Sequence, residues 1–105
     1  MRSLPKARRY TVELESAPVG AALTEAALDS FTAAVEADRK LVDPKPDADF
    51  DLGRLELRAG VGASGATDAL AIVEVAFLRA TEKVGLTVVV IEACVWTDEE
   101  ADSAA

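Results

Sequence analysis

Arg54-Leu55-Glu56-Leu57-Arg58-Ala59-Gly60-Val61 alternates without a break, with Leu55, Leu57, Ala59 and Val61 on one side and Arg54, Glu56 and Arg58 on the other. A period of two is that of a β-strand, and the charged second side means that one face of its sheet meets water. Parallel sheets bury both faces, so this strand argues for an antiparallel sheet covered on one side only. Residues 9 to 15 repeat the pattern, with Tyr10, Val12 and Leu14 inward and Thr11, Glu13 and Glu15 outward. As antiparallel neighbours, the two strands would bring Glu13 and Glu15 to face Arg54 and Arg58.

Helices fill the intervals. Thr24 stands where a side chain can cap a helix, and Leu28, Phe31 and Val35 recur at helical spacing behind it, which predicts a helix over 24–39. Thr67 is placed to cap a second helix of about 18 residues, stopped by Gly85, with Leu70, Val73, Phe77 and Val84 as its inward stripe. Residues 41–53 are harder to read. Pro44 and Pro46 exclude helix, and a short edge strand fits either 40–43 or 48–52. The last strand, Thr87 to Thr97, is apolar on both sides. Strict alternation puts Val89, Ile91, Ala93 and Val95 on one face and Val88, Val90, Cys94 and Trp96 on the other.

With the edge strand counted, the order is βαββαβ. It predicts an α+β two-layer sandwich of the ferredoxin-like type, in which the first strand lies between the third and the fourth. Without the edge strand the order is βαβαβ, a three-stranded parallel sheet with right-handed crossovers. The 105 residues are one domain's worth of chain. Short flexible tails are expected at about 1–8 and 98–105, the first basic (Arg2, Lys6, Arg8) and the second acidic (Asp98, Glu99, Glu100, Asp102).

Composition removes several function classes. The chain has no histidine, so it cannot build a Ser-His-Asp or Cys-His catalytic site or a histidine metal site. Nineteen acidic against eleven basic residues give a net charge of -8, which disfavours direct binding to nucleic acid and to anionic lipid. The longest apolar window, 69–78, is interrupted by Glu74 and is far shorter than the roughly 18 residues that cross a bilayer. One cysteine and the absence of a leader pattern at the N-terminus predict the cytoplasm. Cys94, among apolar neighbours, reads as a buried structural thiol.

Three features invite a functional reading. Gly60-Val61-Gly62-Ala63-Ser64-Gly65 is a literal G-x-G-x-x-G between a strand and a helix, where dinucleotide-binding proteins cradle a pyrophosphate. Gly60, Gly62 and Gly65 are therefore candidate small-ligand or nucleotide contacts, although Asp68 sets a negative charge where a phosphate would sit. Asp47, Asp49 and Asp51 match the first ligand positions of a calcium loop, but Leu52 and Arg58 stand where that loop needs glycine and glutamate, so no metal is expected. The third feature is the last strand. As a sheet edge it would leave Val88, Val90 and Trp96 without cover, and a second copy of the chain would hide them.

Arg54-Leu55-Glu56-Leu57-Arg58, the alanine-rich second helix, Val88-Val89-Val90-Ile91-Glu92 and Thr97-Asp98-Glu99-Glu100 together give the chain an order similar to that of small uncharacterised ferredoxin-like α+β proteins of high-GC bacteria. In some of those a helix-turn-helix DNA-binding segment follows. The chain ends at Ala105, where it would begin, so the resemblance implies a regulatory or interaction module and assigns no residue a role. The leading expectation is a small non-catalytic module, self-associating as a dimer through its last strand, with no cofactor. The alternatives are a small-ligand or nucleotide site at Gly60–Gly65 and an acidic decoy for a nucleic-acid-binding protein partner.

Overall fold

A computed structural model describes residues 8–97. Its elements are β1 (Arg8–Ser16), a single 3-10 turn (Gly20–Ala22), α1 (Glu25–Glu36), β2 (Leu41–Asp49), β3 (Arg54–Ala63), α2 (Ala66–Lys83) and β4 (Val90–Thr97). The four strands form one sheet in the order β2-β3-β1-β4, and every neighbouring pair is antiparallel. That arrangement removes the three-stranded parallel alternative. The tails expected at the two ends lie outside the described residues, except that Arg8 already belongs to β1.

Burial follows the alternation of β1 and β3. Tyr10, Val12, Leu14, Leu55, Leu57, Ala59 and Val61 are buried in one core with Phe31 and Val35 of α1 and Val73 and Phe77 of α2. Phe31 and Phe77 meet edge to face at a centroid distance of 5.4 Å and bolt the two helices together over the sheet. The result is a two-layer α+β sandwich with helices on one face only, so the charged sides of β1 and β3 remain open to water.

The helix ends show which local signals act. Thr24 caps α1 as expected, its hydroxyl accepting the Ala27 N–H at 3.1 Å. α1 stops at Glu36, which leaves Arg39 and Lys40 beyond its last turn. α2 begins two residues earlier than Thr67 implies, with Gly65 in the capping position. In place of a threonine cap, Asp68 reaches back one turn and its carboxylate accepts from the Ser64 N–H (3.3 Å) and hydroxyl (3.2 Å). The far end is a Schellman turn. Gly85 takes the left-handed conformation (φ +76°), its N–H donates to Glu82, and the Leu86 N–H donates to Thr81.

The segment around Pro44 and Pro46 is a strand of nine residues, longer than either short strand expected there. It tolerates two prolines because β2 is an edge and needs only one side of its backbone for pairing. Its register against β3 slips between Val42 and Lys45, where Asp43 sits at φ +51° as part of a β-bulge.

A second bulge changes the last strand. Glu15 pairs with Glu92 but Ser16 pairs with Val90, so Ile91 is an extra residue and the alternation of β4 shifts by one there. Val88 and Val90 therefore pack against the core as partly buried residues, while Trp96, opposite Thr11, stays on the open face. The single alternating stripe expected through Val88, Val90, Cys94 and Trp96 is broken by that bulge.

Candidate functional site

The open face of the sheet can be reconstructed row by row from the strand register. One row runs Val42, Gly60, Thr11, Trp96 across β2, β3, β1 and β4. The next outward-facing row is Lys45, Arg58, Glu13, Cys94, and the one after it is Asp47, Glu56, Glu15, Glu92. Carboxylates line up strand after strand in the row from Asp47 to Glu92, Arg54 stands beyond it opposite Asp49, and Arg9, Lys45 and Arg58 gather toward Gly60.

Four side-by-side carboxylates repel one another, and the fold answers locally. Arg54 crosses diagonally to Glu15, with Nη1 2.9 Å from Oε1, so the expected attraction between β1 and β3 is made by this diagonal pair. Arg58 lies directly opposite Glu13, but its guanidinium rests over the Trp96 ring, 5.5 Å from the centroid. Glu56 keeps its proton above the ordinary carboxylate range, because burial disfavours its charge and Glu15, Asp47, Glu13 and Asp49 add repulsion.

Around Gly60 the face dips. Arg9, Thr11, Val42, Asp43, Lys45, Arg58 and Ala59 line a depression of about 380 Å³ with Gly60. A side chain at Gly60 would crowd it, since an added Cβ would stand 3.2 Å from the Val42 carbonyl oxygen. A separate groove of about 430 Å³ lies between α2 and β4, lined by Glu74, Leu78 and residues 88–93. At its rim Val89 is 63% and Ile91 47% exposed. Among the described residues no strand pairs with the outer edge of β4.

The expected site residues separate. Gly60 and Gly62 are inside β3, within its ladder, and Gly65 alone belongs to the turn before α2. None of the three has a positive φ, and Asp68 already occupies the Ser64 N–H at that helix start. The six residues therefore do not form a strand-to-helix loop of the phosphate-cradling kind. Asp47 and Asp49 stand on β2 and Asp51 in the following turn, with Asp49 capping the turn through the Leu52 N–H at 3.1 Å. Among the described residues no three metal-ligating side chains converge. Cys94, expected to be buried, is exposed on the open face opposite Glu13. The cationic depression went unforeseen, because it joins residues from three strands whose register depends on the bulge at Asp43.

No helix among the described residues is long and apolar enough to cross a membrane. No protein-family model matches the chain, and a comparison with curated proteins finds none that matches it.

Proposed function

We propose that the protein is a non-catalytic interaction module that self-associates through β4, built on a ferredoxin-like sandwich. The strand order β2-β3-β1-β4, with β1 between β3 and β4, supports that fold reading. The observation that carries the function is the outer edge of β4, whose N–H and C=O groups from Val90 to Trp96 have no strand beside them among the described residues. Such an edge is satisfied by another strand and by little else. β4 carries a single charge, Glu92, and apolar Val89, Ile91 and Leu78 lie along the adjoining groove. A second copy offers the same edge and the same groove, and antiparallel pairing of β4 with itself about a two-fold axis covers both.

The cytoplasm suits this reading, because the free exposed thiol of Cys94 would oxidise in a disulfide-forming compartment. Val88 and Val90 contribute from beneath, since they hold β4 onto the core, whereas Trp96 lies on the open face against Arg58 and away from the groove.

The test is the mass of the protein in solution. The native chain is expected at twice its 11.0 kDa, and Val89→Lys with Ile91→Lys at the single mass, with unchanged secondary structure. These two side chains are exposed, so their replacement leaves the core intact. A native chain that stays monomeric at high concentration defeats the reading.

A further inference from the structure

The depression over Gly60 collects Arg9, Lys45 and Arg58 in a chain whose acidic residues outnumber its basic ones nineteen to eleven. Lys45 and Arg58 are direct cross-strand partners, an arrangement of like charges that costs stability unless something negative lies between them. Among the described residues neither Arg9 nor Arg58 has a carboxylate within 4.0 Å, and Lys45 has only Asp43 at 3.9 Å, both largely exposed. From these observations we infer that the depression is a binding site for a small anion bearing one carboxylate or phosphate group, held by Arg9, Lys45 and Arg58 with the Thr11 hydroxyl as a further donor.

Three features shape the site for such a ligand. Trp96 holds the Arg58 guanidinium by its face, 5.5 Å from the ring centroid, which leaves the N–H edge of the fork available for a planar or tetrahedral oxyanion. Gly60 adds no side chain to the floor, where the Val42 and Arg9 side chains already close in: an added Cβ would stand 3.3 Å from the Val42 Cβ and 3.6 Å from the Arg9 Cδ. The bulge at Asp43 turns the β2 backbone just before Lys45, so that Lys45 stands opposite Arg58 while Val42 stands opposite Gly60.

The surroundings also set an upper size. Asp47 and Glu56 border the neighbouring depression on the same face, one row beyond Lys45 and Arg58, and Glu13 borders it from the β1 side of Arg58. A polyanion lying across the sheet would run onto those carboxylates, whereas a compact anion over Gly60 meets three cations and, among the lining residues, the single carboxylate of Asp43. The volume of about 380 Å³ suits a ligand of small-metabolite size. Asp43 on the wall, 3.9 Å from Lys45, offsets part of the cationic charge, so three cations face one carboxylate in the lining.

The experiment is a titration of the native chain with inorganic phosphate and, separately, with acetate, ionic strength being held constant with chloride. Amide shifts of Thr11 and Gly60 and the fluorescence of Trp96, the only tryptophan, report occupancy. Saturation by phosphate alone identifies a phosphate ligand, and saturation by acetate alone identifies a carboxylate. Arg9→Gln and Arg58→Gln are each expected to weaken binding about ten-fold or more, as loss of a charge-assisted hydrogen bond does. Arg79→Gln, in a different cleft, is expected to leave it unchanged. Val89→Lys with Ile91→Lys should bind as the native chain does, so failure of the β4 interface and failure of this site are told apart. Shifts that chloride reproduces, that never saturate, or that persist in the Arg9→Gln, Arg58→Gln double variant overturn the inference.

Discussion

The Ser16 hydroxyl accepts the Leu55 N–H at 2.9 Å and donates to the Ala17 carbonyl at 2.9 Å, both where the β1–β3 ladder gives out. Ser16 is fully buried, so the side chain completes backbone pairing that the sheet itself cannot. Ser16→Ala leaves the Leu55 N–H without a partner and is expected to cost about 1–3 kcal/mol. Urea unfolding of the two proteins measures it, and equal midpoints would show that water or a register shift replaces the hydroxyl.

Phe77 is fully buried and edge-on to Phe31, the contact that joins the two helices. Phe77→Ala is expected to lose about 3–5 kcal/mol, a large share of a small domain's stability. A drop in denaturant midpoint with an unchanged slope is the expected result.

Gly60 and Gly62 differ by two positions and should differ in tolerance. A Cβ at Gly60 meets the Val42 carbonyl oxygen at 3.2 Å and the Val42 Cβ at 3.3 Å, whereas one at Gly62 meets nothing within 4 Å. Gly60→Ala is expected to destabilise by about 1–3 kcal/mol through overpacking. Gly62→Ala, at a φ that alanine accepts, should be neutral or gain about 0.4–1 kcal/mol. Thermal melts of the pair decide this, and equal effects would refute the crowding at β2.

Folded Glu56 holds its proton more tightly than the unfolded chain does, because of burial and then its acidic neighbours, Glu15 first. The native state therefore binds more protons than the unfolded state just above the ordinary glutamate range, and stability falls as pH rises through that window. Glu56→Gln is expected to remove this part of the slope and to stabilise the protein at neutral pH. Unfolding midpoints across a pH series read both effects, and parallel curves for the two proteins would contradict the assignment.

The faces of β1 and β3 could be read from residue alternation alone, since Tyr10, Val12 and Leu14, like Leu55, Leu57 and Val61, obey a period of two and are buried as that period requires. Thr24 and Gly85 were equally legible, because a cap is a short-range signal. What escaped were features set by pairing across strands. The bulge at Ile91 depends on the β1 partner, so nothing within residues 87–97 announces that Val88 and Val90 turn inward. Cys94 looked buried because its neighbours are apolar, yet its partner across the ladder is Glu13 on the wet face. Arg9, Lys45 and Arg58 lie far apart in the chain, and only the slipped register at Asp43 gathers them. Thr67 failed as a cap because Gly65 and Asp68 together close the same turn.

The two rims of the sheet are not equivalent. At β2, Pro44 and Pro46 supply no amide hydrogens, so that rim is a poor template for a further strand. Two copies joined at β4 expose one such blunted rim at each end. In such a pair, growth by strand addition would stop at two copies, and the rim at β2 would keep the sheet from running on into a fibre.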